Sequence, residues 1–134
     1  MIAEALAKLP DFALFFAGSL ALVGLYLLIY TLATSHNEFG LIRQNNLAAA
    51  LSLGLSLIGF ALPLSSAIVH STTIVDLAVW GIVAIIVQLI VYALVRLVLP
   101  NLSSRIASGE LAAALFLGAA SLAAGVINAA AMSY

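Results

Sequence analysis

Four long apolar stretches, each closed by polar or charged residues, organise the 134-residue chain. They cover residues 12–34 ("FALFFAGSLALVGLYLLIYTLAT"), 47–69, 77–95 and 111–132. Each is close to the roughly 20 residues a helix needs to cross about 30 Å of hydrocarbon. Inside a bilayer every backbone N–H and C=O must find its partner within the protein, so spans of this length are expected to be helices. The fold class predicted is all-α: an integral membrane four-helix bundle, in a single membrane domain over residues 1–134. The first span follows "KLPD" rather than a basic leader and is longer than the apolar region of a signal peptide. In residues 1–11, Ile2, Leu6 and Leu9 share one helical face while Glu4 and Lys8 lie off it, which predicts a short interfacial helix.

The apolar pattern is written twice. "LAAALSLG" at residues 47–54 and "LAAALFLG" at 111–118 agree at seven of eight positions. The agreement extends backwards: residues 27–54 align with 89–118 once a two-residue gap is placed in the loop. Tyr30 then falls on Tyr92, Tyr26 on Gln88, Asn46 on Glu110, Ala50 on Ala114 and Gly54 on Gly118. Two copies of a transmembrane hairpin are expected, repeat one over about residues 12–69 and repeat two over about 74–132. Both hairpins begin on the same side, so the repeats are parallel and related by an axis along the membrane normal.

Composition agrees with a lipid solvent. The chain is 66% hydrophobic and 7% charged, against roughly 25% charged residues in soluble domains. A net charge of −1 leaves no basic patch for nucleic acid. The absence of cysteine excludes disulfides, thiolate metal sites and thiol nucleophiles. The few basic residues set an orientation. Arg43 lies in the first connection, and Arg96 and Arg105 flank the third; the opposite side carries Lys8. The positive-inside rule then places the arginine-bearing loops in the cytoplasm and both termini outside.

Lipid solvates leucine as well as a neighbouring helix does, so association relies on small residues that let backbones approach. The fourth span carries one such stripe: Glu110, Ala114, Gly118, Ser121, Gly125 and Asn128. The second span carries two. Asn46, Ala50 and Gly54 begin a stripe that gives way to Leu57, Ala61 and Leu64; Asn45, Ala49, Ser52, Ser56, Gly59, Pro63 and Ser66 form another, made entirely of small or polar residues and proline. Helix packing within the subunit is expected to place Ala114, Gly118, Ser121 and Gly125 against Ala50 and Gly54. The Ser52, Ser56, Gly59 and Pro63 face is then left for a second subunit or for a hydrated axis. Closed cyclic assembly is the common outcome for identical chains, which favours a homodimer.

With "GFALPLSSAI" at residues 59–68, "WG" at 80–81, Gln88 with Tyr92, and "GVINAAAMSY" at 125–134 in this order, the chain resembles the bacterial inner-membrane proteins of the YjfL type, which carry the domain of unknown function 350. The resemblance covers nearly the whole chain. It implies four transmembrane helices, a bacterial inner-membrane location and a domain repeated in tandem. It brings an association with envelope stress, and no catalytic residue or cofactor.

The remaining polar residues carry little chemistry. Gln88 and Asn128 lie within the spans and read first as interhelical hydrogen-bond glue, and only second as the lining of a path. Tyr30 and Tyr92 read as interfacial anchors. Pro63 should kink or end the second helix and release the carbonyl of Gly59 to Ser65, Ser66, a water or a cation. Arg43, Arg96, Arg105, Glu38 and Glu110 read as a solvated cytoplasmic rim, or more sharply as the docking surface of a peripheral cytoplasmic protein. His36 and His70 fall on opposite sides, and His70 beside Asp76 is a candidate pH sensor. No catalytic motif is present, so an enzyme is not expected. Two classes remain: a non-enzymatic homo-oligomeric scaffold or envelope-stress partner, and a small oligomeric ion channel or transporter lined by the Ser/Gly face of the second helix.

Overall fold

The computed structural model describes residues 1–34 and 37–132. Over these the chain forms α1 (Ile2–Ala7), α2 (Leu9–Ala33), α3 (Glu38–Arg43), α4 (Leu47–His70), α5 (Ile74–Val98), α6 (Leu102–Ala107) and α7 (Leu111–Ala131). Four helical stretches are long and apolar enough to cross a membrane: Ile2–Ala33, which joins α1 to α2, together with α4, α5 and α7. α1 runs almost straight into α2, because the intervening Lys8 keeps helical backbone angles; Pro10 sits in the first turn of α2, where a missing N–H costs least.

The ends of the helices follow from local chemistry. The Asn46 side chain accepts from the Ala49 amide at 3.0 Å and opens α4. The Thr73 hydroxyl accepts from the Asp76 amide at 3.1 Å and opens α5. Such caps satisfy donors that the first helical turn cannot pair internally. The short helices α3 and α6, which the apolar pattern does not announce, close in the same way. The Asn46 amide bonds the Leu41 carbonyl at 2.9 Å and the Glu110 amide bonds the Arg105 carbonyl at 3.0 Å. The residue before each amide is left-handed, Asn45 at φ 66° and Gly109 at φ 90°. These are helix C-terminal motifs that need a residue tolerant of positive φ.

Contacts between helices fix their directions. Asn46 Nδ2 donates to the Ala107 carbonyl at 3.0 Å, and Ser66 Oγ to the Ala129 carbonyl at 3.2 Å. Between these ends Gly118 faces Leu55, and Gly59 faces Ser121. A nearly constant sequence offset along the whole seam means that α4 and α7 run parallel. α2 and α5 do likewise, with Gly18 against Ile74, Gly81 against Leu22, and the rings of Tyr30 and Tyr92 5.6 Å apart. The arginine-bearing connections therefore share one end of the bundle. α4 packs on α7, α5 and α2, whereas most of α2 turns leucine and phenylalanine outward, to where lipid would lie.

Candidate functional site

The interior converges on a node midway along the four long helices. Gly59 and Gly125 are apposed backbone to backbone: a Cβ at Gly59 would run into the Ser121 carbonyl, and one at Gly125 into the Gly59 carbonyl. That Gly59 carbonyl is the one Pro63 cannot bond, since proline has no N–H. The Cα hydrogen of Gly125 faces it instead, a weak contact of about 0.5–1 kcal/mol. α4 consequently continues past Pro63 to His70 and does not end there. Ser66, expected to serve the released carbonyl, donates to Ala129 of α7. The close glycine packing leaves the Gly59 carbonyl no room for a cation.

The helix-two faces are used in the reverse of the expected way. Ser52, Ser56, Gly59 and Pro63 are buried, and it is this face that meets α7. The Ser52 hydroxyl turns back to the Ala49 carbonyl at 3.1 Å and the Ser56 hydroxyl to Leu53 at 2.9 Å, so both serines pack as small residues. Within the subunit these serines are therefore packed, not exposed to a solvated path. Ala50 and Gly54 are only half-buried, and a Cβ at Gly54 would meet nothing within 4 Å. On α7, Ala114, Gly118, Ser121 and Gly125 are all buried, with Gly118 against the Leu55 side chain. The seam follows the longer small-residue stripe of α4, because leucines at 57 and 64 interrupt the shorter one.

Two more helices reach the node through side chains. Gln88 of α5, wholly buried, donates from Nε2 to the Ser121 carbonyl at 3.1 Å. Tyr26 of α2 donates to the Ser56 carbonyl at 3.4 Å and stacks on Phe60 at 4.5 Å. Gln88 Oε1, the Ser121 hydroxyl and the Tyr30 hydroxyl are buried without a hydrogen-bond partner. Asn128, nearer the far end of α7, is buried with its Nδ2 also unpartnered. Polar atoms thus run inward from the arginine-bearing end to the middle of the bundle.

At that end two expectations need correction. Tyr30 and Tyr92 are not interfacial anchors: they are 1% and 4% exposed, meet edge to face, and the Tyr92 hydroxyl lies 3.0 Å from that of Ser103. Glu38 is not on a solvated rim. It is 1% exposed at the first turn of α3, within electrostatic reach of the Tyr26 and Tyr30 hydroxyls. Burial pushes its carboxyl up to about 7, partly offset by a hydrogen bond with Thr34. The true rim is Arg43 and Arg96, both exposed, with Arg105 paired to Glu110 at 3.3 Å. His70 Nδ1 lies 2.8 Å from the Ser66 carbonyl of its own helix, and His36 falls outside the described residues.

Comparison with known proteins supports the membrane reading. The inner membrane protein YjfL of the UPF0719 group is 43% identical over 129 residues, in Escherichia coli K12 and in Escherichia coli O157:H7 alike; the match covers 96% of this chain and 98% of each relative. No solved structure matches. The model of the Domain of Unknown Function DUF350 matches residues 3–132 as one unit, rather than as two tandem domains. The chain, a four-span membrane protein with a buried polar node, belongs to the DUF350 family.

Proposed function

We propose that the chain is a non-enzymatic inner-membrane module that works by association: a homodimer that serves as scaffold or envelope-stress partner, with the arginine-bearing end in the cytoplasm and both termini outside. The observation that carries this reading is the closure of the interior. The serine- and glycine-rich face of α4 is packed into the α4–α7 seam within the subunit, which leaves it buried and not lining a path. What remains toward lipid is mostly aliphatic and aromatic, with small residues exposed at Ala17, Ala21 and Gly24 of α2 and a half-buried small-residue face at Ala50 and Gly54 of α4. A second copy is assigned to that face, since close backbone approach is what drives helix pairing in lipid. The peripheral cytoplasmic partner is assigned to Arg43, Arg96, Arg105 and Glu110.

The same reading makes the chain a parallel duplication. Adding 64 to the bounds of α3 gives those of α6, and adding 64 to the first residue of α4 gives that of α7. The two closing hydrogen bonds, at Asn46 and Glu110, keep the same interval. The protein's lack of cysteine makes one experiment decisive. Gly54→Cys in native membranes should form disulfide-linked dimers on oxidation, whereas Ser56→Cys should not. Cross-linking from Ser56→Cys with none from Gly54→Cys would overturn the assignment, and ion flux from vesicles holding the unmodified protein would restore the channel.

A further inference from the structure

We infer that a groove between α2 and α5, at the arginine-bearing end, is a binding site for one anionic phospholipid. The groove encloses about 550 Å³ and is lined by Ala33, Leu89, Tyr92, Ala93, Arg96 and Leu97. That volume lies within the roughly 300–1,000 Å³ typical of small-molecule sites. Arg96 is the one charged residue in its lining, and the hydroxyl of Tyr92, the other polar group, lies 3.0 Å from that of Ser103.

The geometry matches the profile of one leaflet. Arg96 stands two residues before the end of α5, where a span of this length would bring it to the headgroup level. From there to Leu89 is seven residues, a rise of about 10 Å. Half a hydrocarbon core is about 15 Å, so the groove runs from the headgroup level well into the acyl region. The groove exists because Ala33 and Ala93 are small and because the Tyr92 ring turns inward against Tyr30. A lipid chain laid along Leu89, Ala93 and Ala33 would bring its phosphate to Arg96.

Charge selects the class of lipid. Arg105 also borders a groove, with Val98, Leu99, Ala112, Ala113 and Phe116, but its guanidinium is held by Glu110 at 3.3 Å. Arg96 makes no ion pair among the described residues, so its charge is available to a phosphate. Guanidinium and phosphate pair with good geometry and strong hydrogen bonds. A net anionic lipid adds headgroup charge that a zwitterionic one lacks. The inference does not depend on the oligomeric state, nor on which side of the membrane the arginines face.

The test is lipid retention by the full chain, released from mixed phosphatidylglycerol and phosphatidylcholine vesicles and weighed by native mass spectrometry. The unmodified chain should keep one phosphatidylglycerol with a preference of about fivefold, the scale of one basic residue near an anionic surface. Arg96→Gln should abolish the preference, Arg96→Lys should keep most of it, and Arg105→Gln should leave it unchanged. Ala93→Trp should displace the lipid by filling the groove while Arg96 stays in place. Equal retention of the two lipids by the unmodified chain overturns the site, whether or not any variant folds. Equal losses from Arg96→Gln and Arg105→Gln overturn it too, since they would point to a general effect of rim charge.

Discussion

The two halves of the molecule place their short helices and the starts of the long helices that follow at matching positions, yet in different environments. α3 with the start of α4 and α6 with the start of α7 repeat at an interval of 64, down to the hydrogen bonds that end the short helices. At that interval Glu38 corresponds to Leu102, Gly54 to Gly118, Ser56 to Ala120 and Gly59 to Ala123. Glu38 and Leu102 are both buried, but one is a carboxyl and the other an aliphatic side chain. Gly118 is packed on Leu55, whereas Gly54 faces open space. Gly59 lies at the tightest backbone approach, whereas Ala123 is exposed. Matching helix positions therefore do not bring matching interiors: the side chains at corresponding positions decide which face is buried. Paired substitutions at corresponding positions measure how differently the two halves are packed.

The largest contrast is expected at Gly59 and Ala123. Leucine at Gly59 must displace the backbone of α7, because the nearest atoms are the Ser121 carbonyl and the Leu122 amide. Backbone cannot rotate away as a side chain can, so the loss should exceed the usual overpacking penalty, reaching about 3 kcal/mol or more. Ala123→Leu adds apolar surface on the lipid side and should change stability by less than about 0.5 kcal/mol. Unfolding in detergent measures both. Equal effects would mean that the α4–α7 seam lies elsewhere.

Next comes Ser56 against Ala120. Ser56 is wholly buried on the seam, and Ala120 is half-buried. Ser56→Leu should cost about 1–3 kcal/mol, within the range for inserting bulk into a packed core. Ala120→Leu should cost clearly less in the same unfolding assay. A folded, stable Ser56→Leu protein would return the serine face to an interface between subunits.

Much of this architecture is legible in the sequence, and the failures have physical causes. The second span is expected at residues 47–69 and observed as Leu47–His70; the fourth is expected at 111–132 and observed as Leu111–Ala131. Hydropathy locates such spans because the solvent imposes it. Neither the burial of Tyr30 and Tyr92 nor that of Glu38 could be read from hydropathy, since an aromatic near a helix end has one sequence signature and two possible surroundings. The choice between the two faces of α4 was open to reading. A buried seam between backbones needs an unbroken run of small residues, and only the Ser52–Ser56–Gly59–Pro63 stripe is unbroken over that length.

Glu38 and Leu102 give a contrast that depends on pH. The Glu38 carboxyl is raised by burial from 4.5 to about 7 in the folded protein. The folded state then holds its proton more tightly than the unfolded state does. The associated stability is fully present below the unfolded pKa and is lost as pH rises through about 7. Thermal unfolding should therefore shift downward between about pH 5 and pH 8. Glu38→Leu, which copies the other half, should remove that part of the slope. Leu102→Glu should create a second slope of the same sign. An unmodified slope in Glu38→Leu would show that the carboxyl is solvated and the correspondence with Leu102 superficial.

The smallest effect on stability is expected at Gly54, whose counterpart in the aligned apolar stretch is Gly118. A leucine at Gly118 meets the Leu55 side chain, including its Cβ, which cannot rotate aside, so a loss of about 1–3 kcal/mol is expected, as for inserting bulk into a packed core. A leucine at Gly54 meets no atom of its own subunit and should alter unfolding by less than about 0.5 kcal/mol. Its effect should appear in mass instead. If the Ala50–Gly54 face seats a second copy, a bulky side chain there separates the helices that must touch, and the detergent-solubilised particle should fall from dimer to monomer. Gly118→Leu, buried within the subunit, should keep the dimer while losing stability. The two variants thus exchange phenotypes, one folded and monomeric, the other dimeric and weakened. A Gly54→Leu protein that stays dimeric would leave that face to lipid and move the contact between copies to another helix.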